Sequence, residues 1–332
     1  MKKLKIAVLG DGGWGTTLAV LLCRKGFSVT IWGAFADYTA VLNKKRVNDK
    51  FLPGVKIPRE IVFTHNLADA VIDKGLIILA VPSQYLRRVL AELKHKGISS
   101  GAIFLSVTKG IEVGSLKRMS ELICQELGAV KLAVLSGPTI AHEVANQLPS
   151  TAVIAATDKK LRNYLQEIFS TDKFRIYTNS DIAGVELGGS LKNVIAIACG
   201  ISDGLKFGAN TKAAILARGL AEISRLGVAM GAKAATFSGI SGLGDLVTTC
   251  ISSYSRNRFV GEQIGRGKSL RQVQAHMQMV AEGVPTAKSA YQLSRKFRVE
   301  MPITGQVYNV LYKNKSPRQA VRDLMMRASK EE

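Results

Sequence analysis

The chain has 332 residues, of which 47% are hydrophobic and 21% are charged, as in an ordinary globular protein long enough for two domains. This composition excludes disordered, collagen-like and disulfide-scaffold proteins. The formal net charge of +21 at pH 7 favours anionic partners such as nucleotides, sugar phosphates, nucleic acids or acidic membranes, without choosing among them.

Short apolar runs alternate with helix-like segments in the first half of the chain. A helix is predicted over residues 13–25 and is closed by Gly26. The predicted strands are residues 4–9, 28–32, 76–81 and 102–107, with 132–135 and 151–156 as two further candidates. Strand–helix alternation is typical of a parallel sheet covered by helices, and runs of Val, Ile and Leu indicate strands that are buried on both faces.

The pattern changes after about residue 181, where helical periodicity continues without a convincing strand. Helices are predicted over residues 184–200, 211–227, 255–265, 286–297, 302–311 and 317–326. Three of them end at a glycine and the last two begin with a proline, as is common for helix C-caps and first turns. We therefore expect two domains, residues 1–180 and 181–332.

The sequence predicts no export signal, membrane span or metal site. The apolar run after Met1, Lys2 and Lys3 ends at Gly10, which is too early for a signal peptide, and no stretch approaches the roughly 18 apolar residues of a span. The cysteines and histidines lack metal or redox spacing; they are Cys23, Cys124, Cys199, Cys250, His65, His95, His142 and His276. We expect a reducing compartment, no metal ion and no stable membrane insertion.

A glycine-rich loop joins the first predicted strand to the first predicted helix. Residues 10–15 read GDGGWG and match G-x-G-x-x-G in the context that this motif requires. Gly10 permits the tight turn, Gly12 lets the backbone approach a pyrophosphate, and Gly15 lets the helix pack close to the strand. The helix N-terminus offers N–H groups and a positive dipole end to the anion. The sequence thus predicts an α/β protein in which a Rossmann-like, doubly wound dinucleotide-binding domain precedes an all-α C-terminal domain.

The sequence does not decide which nicotinamide cofactor binds. NAD sites often place an acid about 20 residues after the loop, whereas an arginine nearby accommodates the 2′-phosphate of NADP. Residues 31–35 read IWGAF, with no acid before Asp37 and no arginine. The expected cofactor is therefore NAD or NADP, without a stated preference.

Three segments of the second half offer groups for hydride transfer to a carbonyl. Lys192 lies one helical turn after Gly188 in an apolar segment; it is either an acid/base beside a space left by the glycine or a lysine that snorkels from a buried helix. Asp245, among glycines and apolar residues, either orients such a lysine or caps a helix. The SRNR stretch at 255–258 suits a phosphate at a helix N-terminus, although alone it would be an ordinary helix capped by Ser255.

Together these segments resemble the bacterial type of NAD(P)-dependent glycerol-3-phosphate dehydrogenase almost from end to end. The shared motifs are the glycine loop continued as WGT at 14–16, VPS at 81–83, TKG at 108–110, LSGPT at 135–139, GVELGG at 184–189 leading into KN at 192–193, GLGD at 242–245, SRNR at 255–258 and VAEG at 280–283. The resemblance implies reduction of dihydroxyacetone phosphate by NADH or NADPH to sn-glycerol 3-phosphate, which supplies glycerophospholipid synthesis.

The resemblance also implies roles for individual residues. Lys192 resembles the catalytic lysine, which donates a proton in the reduction and accepts one in the oxidation, and Asp245 resembles the carboxylate that holds it. The implied substrate contacts are Lys192, Asp245, Lys109, Gly137 and Thr139, with Ser255, Arg256 and Asn257 as the phosphate grip. Beyond the loop glycines Gly10, Gly12 and Gly15, the implied cofactor contacts are Gly13, Trp14, Lys109, Ala141, Arg256, Val280 and Glu282.

Two departures from the usual family residues concern the cofactor. Ala34 and Phe35 stand where a His or Arg is common, which weakens any expectation of NADP preference. Pro285 replaces a more usual Arg or Tyr near Glu282 and is expected to change the cofactor grip modestly. The resemblance further implies a homodimer and a cytoplasmic location.

Three alternatives compete with this interpretation. β-Hydroxyacid dehydrogenases share the two-domain plan and a lysine in a glycine-led helix, but the SRNR stretch and Lys109 argue against them. A nucleic-acid-binding protein would interleave aromatic and basic residues, whereas aromatics are only 6% of this chain, so we expect no nucleic-acid partner. An inactive nucleotide sensor would have no need of Lys109, Lys192, Asp245 and the phosphate grip together.

Overall fold

The computed structural model describes residues 4–277, 279–329 and 331. The chain forms two compact units: the first comprises the residues up to Lys109 together with Lys117–Glu186, and the second comprises Gly110–Leu116 together with Leu187–Glu332. The sequence pattern changes near residue 181, close to the later division. The short segment Gly110–Leu116 lies in the first half of the sequence but belongs to the second unit. Hydrophobic periodicity does not indicate this long-range association.

The first unit is built on an eight-stranded sheet. Its order is β10-β9-β8-β7-β6-β1-β2-β5, and a two-stranded antiparallel ribbon, β3-β4, lies apart from it. In chain order the strands are β1 (Lys5–Leu9), β2 (Ser28–Trp32), β3 (Val47–Asn48), β4 (Leu52–Lys56), β5 (Val62–Thr64), β6 (Leu76–Leu79), β7 (Ile103–Ser106), β8 (Lys131–Ser136), β9 (Ser150–Ala155) and β10 (Phe174–Asn179). All six strands predicted from the sequence are present, whereas β3, β4, β5 and β10 were not predicted.

One strand pair corrects the expectation of a purely parallel sheet. β8 and β9 are antiparallel, with Val134 opposite Ala155, whereas the other neighbours in this sheet are parallel. The chain between them contains only the five-residue helix α6 (Ala141–Ala145), which is about 7.5 Å long at 1.5 Å per residue. Because this helix is much shorter than a six-residue strand of about 20 Å, it does not return the chain to the opposite edge of the sheet. β9 and β10 therefore run opposite to the other strands.

Helices cover both faces of the sheet, as the apolar strands predicted. One layer packs with Ile6 and Val8; it consists of α1 (Gly13–Arg24), α2 (Ala36–Lys45) and α7 (Lys159–Phe169). The other layer packs with Ala7 and Leu9; it consists of α3 (Leu67–Val71), α4 (Leu86–Leu93) and α5 (Met119–Leu127). Alternate residues of β1 thus enter opposite layers, which is the doubly wound arrangement that the sequence predicted.

The second unit is helical, and no strand follows residue 179 in the described part of the chain. Its helices after α8 (Ile182–Gly204) are α9 (Ala209–Ala229), α10 (Ala234–Phe237), α11 (Asp245–Ile251), α12 (Arg256–Gly265), α13 (Leu270–Ala275), α14 (Gly283–Lys296), α15 (Pro302–Tyr312) and α16 (Pro317–Met325). A π-helical turn, Ile240–Gly244, precedes α11. The two predicted proline starts are confirmed at Pro302 and Pro317.

α8 corrects the expectation that no stretch approaches a membrane span. By length and composition this 23-residue helix is apolar enough to cross a bilayer. In the structure 83% of its most apolar window is buried within the protein. A helix that is apolar on all sides is typical of the core of a large protein as well as of a membrane.

Candidate active site

Several residues of the first unit, among them the predicted site residues Gly10, Lys109 and Gly137, lie just after parallel strands. Gly10 follows β1, Gly33 follows β2, Ala80 follows β6, Lys109 lies just after β7, and Gly137 follows β8. The carboxyl ends of parallel strands meet at one edge of a sheet, where open α/β folds bind their ligands. The fold therefore brings the glycine loop together with Lys109 and Gly137.

The nucleotide loop, residues 10–15, turns the chain sharply from β1 into α1. Gly10 has a φ of 122°, which favours glycine, and its N–H donates to the carbonyl of Trp32 over 2.9 Å. Gly12 is extended and caps α1, and its carbonyl accepts the first intrahelical hydrogen bond, from the N–H of Thr16 over 2.9 Å. The twelve-residue helix α1 thus begins close to the end of β1, which places its N-terminus where an anion site requires it.

The glycines of the loop differ in what a side chain would meet. A Cβ at Gly10 would lie 2.7 Å from the carbonyl oxygen of Ala80, and one at Gly15 would lie 2.1 Å from that of Gly10. A Cβ at Gly12 would meet nothing within 4 Å. The fold itself therefore needs Gly10 and Gly15, whereas Gly12 leaves bare backbone beside open space, which is the condition that the predicted pyrophosphate contact requires.

Three other predicted cofactor contacts lie in the first turn of this helix or beside it: Gly13, Trp14 and Ala141. A Cβ at Gly13 would lie 3.7 Å from that of Ala141, and the Thr17 hydroxyl donates to the carbonyl of Ala141 over 3.1 Å. The indole of Trp14 packs edge-on against Phe174, with ring centroids 6.4 Å apart. The Trp14 side chain therefore packs against the apolar core of the first unit.

Three predicted substrate positions of the first unit converge on one carbonyl. The Lys109 Nζ donates to the carbonyl oxygen of Gly137 over 2.9 Å, and the Thr139 hydroxyl donates to the same oxygen over 3.1 Å. Gly137 has a φ of 147°, and a Cβ there would lie 3.0 Å from the Cα of Ala152. The turn after β8 thus requires glycine and fixes the end of the Lys109 side chain.

The central group of the second unit is a buried ion pair. Lys192 of α8 is 6% exposed and Asp245 is 1% exposed. The Lys192 Nζ donates hydrogen bonds to the Asp245 carboxylate and to the Thr249 hydroxyl, the latter over 2.6 Å. The Thr249 hydroxyl donates in turn to the backbone carbonyl of Asp245 over 2.7 Å. Lys192 therefore does not snorkel, and Asp245 holds the lysine rather than capping α11, whose N-cap is Gly244. We call Lys192, Asp245 and Thr249 the lysine centre.

Gly188 has a different role from the expected one. We expected it to clear space for a ligand beside the lysine, but a Cβ there would lie 2.6 Å from the carbonyl oxygen of Ser241. That space is filled by the backbone of the π-helical turn, in which Gly242 in turn packs against Phe237. Glycine at 188 lets this turn pack against α8 and places Asp245, the next residue after the turn, beside Lys192. π-Helical turns are frequent at functional sites.

The SRNR stretch begins α12 as predicted. The Ser255 hydroxyl caps the helix by accepting the N–H of Arg258 over 3.2 Å. Arg256 is exposed and donates to the carbonyl of Val280 over 2.8 Å, so it lies beside the predicted cofactor segment 280–282. The Arg258 guanidinium instead binds Asp203 over 2.6 Å, which gives it a structural role.

Asn257 is buried, and its amide joins three segments of the second unit. Its Nδ2 donates to Oδ1 of Asn193 over 2.8 Å, and its Oδ1 accepts the N–H of Gly283 over 2.8 Å. Glu282 is the N-cap residue of α14, so this chain of hydrogen bonds runs from the residue after Lys192 to the start of that helix. Pro285 lies in the first turn of α14, where the absent N–H costs no helical hydrogen bond.

Sequence reasoning missed Thr249 and Asn193. Thr249 stands one helical turn after Asp245, so the same-face spacing was available as a signal. Asn193 directly follows Lys192 in a motif used for the family resemblance, but nothing local indicates its partner 64 residues away. Among the described residues, no group of three or more His, Cys, Asp or Glu side chains is placed to hold a metal ion.

Known proteins match almost the whole length of this chain. The N-terminal model of NAD-dependent glycerol-3-phosphate dehydrogenase matches residues 5–162, and the C-terminal model of the same family matches residues 181–322. Glycerol-3-phosphate dehydrogenase (NAD(P)+) of Citrifermentans bemidjiense is 50% identical over 99% of this chain and 98% of its own length. The protein of that name from Chlorobium limicola is 49% identical over 99% of each chain.

A solved structure agrees with these sequence matches. The crystal structure of glycerol-3-phosphate dehydrogenase from Coxiella burnetii superposes with a TM-score of 0.95 at 38% identity, covering 98% of this chain and 99% of that one. Because the match covers 98% of this chain, it includes both units. This protein therefore belongs to the NAD-dependent glycerol-3-phosphate dehydrogenase family.

Proposed function

We propose that this chain reduces dihydroxyacetone phosphate to sn-glycerol 3-phosphate, reversibly, with NADH or NADPH as hydride donor. The single observation that supports this most directly is the lysine centre, in which a lysine amine is buried against one carboxylate. A buried amine held in one orientation is suited to proton transfer. The alternative of a β-hydroxyacid dehydrogenase is not favoured, because the relatives that match almost end to end near 50% identity are named glycerol-3-phosphate dehydrogenase.

Lys192 is the proposed acid and base. When bound, the reduced nicotinamide supplies the hydride that becomes the hydrogen on C2 of the product. The Lys192 Nζ gives a proton to the C2 carbonyl oxygen, which becomes the hydroxyl group, and takes it back in the oxidation. Asp245 stabilises the ammonium form that must be present before reduction, and the Thr249 hydroxyl fixes the direction of its N–H bonds.

The substrate phosphate is assigned to the start of α12. Arg256 uses one guanidinium nitrogen on the Val280 carbonyl, which leaves its remaining N–H groups for phosphate oxygens. Backbone N–H groups and the positive end of the α12 dipole add to this grip beside Ser255. Asn257 is proposed to position the site, because both ends of its amide are already engaged within the protein.

The first unit is proposed to hold the cofactor. The bare backbone at Gly12 and the first N–H groups of α1, at Gly13 and Trp14, are assigned to the pyrophosphate. Lys109, fixed by the Gly137 carbonyl beside Thr139, supplies a second ammonium group for substrate and nicotinamide. Ala141 is a further proposed cofactor contact of this unit, whereas Val280 and Glu282, which the family resemblance also assigns to the cofactor, belong to the second unit.

The cellular setting is part of the proposal. We infer a cytoplasmic homodimer that supplies glycerophospholipid synthesis, on the basis of the family and of four cysteines that are all unpaired. Sedimentation velocity of the purified protein would test the dimer. A sedimenting species of monomer mass across the micromolar range would contradict it.

The experiment that tests the activity follows nicotinamide absorbance. Purified protein is mixed with NADH or NADPH and dihydroxyacetone phosphate, with unphosphorylated dihydroxyacetone as the control. Oxidation that requires the phosphate supports the proposal. Folded protein that oxidises neither cofactor, or that prefers a hydroxyacid or its keto form, would contradict it.

A further inference from the structure

The end of β2 lacks the side chain that normally reads the adenosine ribose. Sites for NAD often place a carboxylate there, about 20 residues after the glycine loop, so that it binds the 2′-hydroxyl. This chain has Gly33 at that point, followed by Ala34 and an exposed Phe35. Neither an acid nor an arginine is supplied by the segment where both are usually found.

A carboxylate nevertheless lies at this place, and it comes from the glycine loop itself. A Cβ at Gly33 would lie 2.5 Å from Oδ2 of Asp11 and 2.6 Å from the hydroxyl oxygen of Thr39. Asp11 therefore fills the space that a side chain at position 33 would need. A residue larger than glycine at the end of β2 is incompatible with this position of the Asp11 side chain.

The Asp11 backbone is fixed while one of its carboxylate oxygens has no partner. Its carbonyl oxygen accepts hydrogen bonds from Asn48 Nδ2 over 2.8 Å and from the Thr16 hydroxyl over 3.3 Å. Oδ2 is buried and has no hydrogen-bond partner among the described residues, although Asp11 as a whole is partly exposed. Buried polar atoms are nearly always paired, so an unpaired acceptor in a binding loop indicates a missing donor.

The charged groups around the Asp11 carboxylate do not make the end of β2 a phosphate-binding site. Burial raises the pKa of the Asp11 carboxyl, and its own backbone N–H and the charge of Lys50 act in the opposite direction. Lys50 lies over two aromatic rings, with its Nζ 5.7 Å from the centroid of Tyr38 and 5.0 Å from that of Phe51. The lysine is thus held by the rings, whereas the carboxylate lies at the end of β2.

We propose that Asp11 determines cofactor specificity by accepting a hydrogen bond from the ribose 2′-hydroxyl of NADH and by repelling the 2′-phosphate of NADPH. A carboxylate has lone pairs for several donors, so rotation about its terminal bond presents an acceptor to an approaching hydroxyl. A phosphate placed at the same point would face the Asp11 carboxylate, while the nearby cation, Lys50, is held over the rings of Tyr38 and Phe51, so the site discriminates by repulsion. This inference rests on the proposed function only in taking a nicotinamide dinucleotide as the cofactor.

The test measures binding without turnover. NADH and NADPH are each titrated into the substrate-free protein by calorimetry, and the ratio of their dissociation constants is compared between variants. Wild type is expected to bind NADH at least tenfold more tightly than NADPH. Asp11→Asn keeps the shape and removes the charge, and we expect it to shift the ratio at least tenfold toward NADPH.

Matched variants separate specificity from folding. Asp37→Asn removes the next acid in the chain, which is exposed, and should leave the ratio unchanged. If circular dichroism shows that Asp11→Asn is unfolded, Asp11→Ser provides the same loss of charge in a smaller side chain. A wild type that prefers NADPH, an unchanged ratio in the folded Asp11 variant, or a shift in Asp37→Asn would overturn the proposal. Because binding is read directly, failure to reduce dihydroxyacetone phosphate would contradict the proposed function without affecting this result.

Discussion

The nucleotide loop and the lysine centre differ in the part of the chain that shapes them. The loop is shaped by backbone, since Gly10 and Gly15 admit no Cβ and Gly12 leaves open space. The lysine centre is shaped by charged side chains, since Lys192 and Asp245 are buried against each other. The nucleotide loop depends on glycines that have no side chain. The lysine centre depends on charged side chains that the fold buries away from water.

This difference decides how each region should respond to change. A buried ion pair is expensive to desolvate, so removing one partner leaves an uncompensated charge and affects stability as well as chemistry. A glycine facing open space can be altered with little effect on the free protein.

Replacing Lys192 should have the largest effect on activity. Lys192→Ala removes the proton donor, and we expect the turnover number to fall about 10³-fold, within the usual range for loss of an acid/base group. Cofactor affinity should stay within about twofold, because the nucleotide loop belongs to the other unit. Steady-state kinetics and calorimetric NADH binding measure the two quantities.

An exposed lysine of the same unit provides the control. Lys268→Ala should retain wild-type turnover, because Lys268 lies at the surface after α12. Comparable activity in the folded Lys192 variant would remove this residue from the mechanism and leave the lysine centre as a purely structural pair.

Replacing Asp245 tests whether the pair contributes stability or chemistry. Asp245→Asn leaves a buried ammonium without its carboxylate, and we expect the free energy of unfolding to fall by about 3 kcal/mol, as is usual when one partner of a buried pair is removed. Chemical denaturation measures this change. The double variant Lys192→Met with Asp245→Leu should regain most of that stability, because apolar replacements of a buried pair are often neutral, yet remain inactive.

The double variant distinguishes two accounts of the pair. Recovery of stability without activity would show that the charges are retained for proton transfer. A double variant as unstable as Asp245→Asn would instead mean that packing around α11, rather than the unpaired charge, causes the loss.

Two arginines of the SRNR stretch should respond differently. Arg256→Ala should raise the Michaelis constant for dihydroxyacetone phosphate about 30-fold with little change in turnover number, because a charge-assisted bond to a phosphate is worth about 2 kcal/mol. Arg258→Ala should instead lower the melting temperature, because its guanidinium binds Asp203. Initial-rate kinetics and thermal denaturation of both variants test this division, and an unchanged Michaelis constant in Arg256→Ala would place the phosphate elsewhere.

The same contrast explains what the sequence could and could not predict. The nucleotide loop was predictable because strand, turn and helix follow one another along ten or so residues, and each glycine has a local reason. The residue types of the lysine centre were also predictable, but their pairing was not, because Lys192 and Asp245 are 53 residues apart. The resemblance to a family supplied that pairing, and the structure shows the contact.

The errors have physical causes of the same kind. Gly188 suggested open space beside Lys192, but the backbone of a distant π-helical turn occupies it. The reversal of β9 depends on the length of α6, which strand propensity does not indicate. The sequence does not indicate the position of Asp11, because a ribose-binding acid is usual at the end of β2, whereas the Asp11 side chain reaches that place from the preceding loop.

The smallest expected effects distinguish two glycines of the nucleotide loop. Gly10→Ala forces a Cβ to within 2.7 Å of the Ala80 carbonyl at a φ of 122°, so it should lower the melting temperature by several degrees. Gly12→Ala meets nothing within 4 Å in the free protein, so its melting temperature should equal that of wild type. Its affinity for NADH should nevertheless fall about tenfold, because the methyl group would occupy the approach of the pyrophosphate.

Thermal denaturation with and without NADH measures both effects in one experiment. Wild type should gain stability on adding cofactor, whereas Gly12→Ala should gain less at the same concentration, because stabilisation by a ligand depends on its affinity. If Gly12→Ala were destabilised without ligand, the open space at Gly12 would serve the fold rather than the cofactor. If it bound NADH as wild type does, the pyrophosphate would lie away from Gly12, and the division between glycines that serve the turn and glycines that serve the ligand would fail.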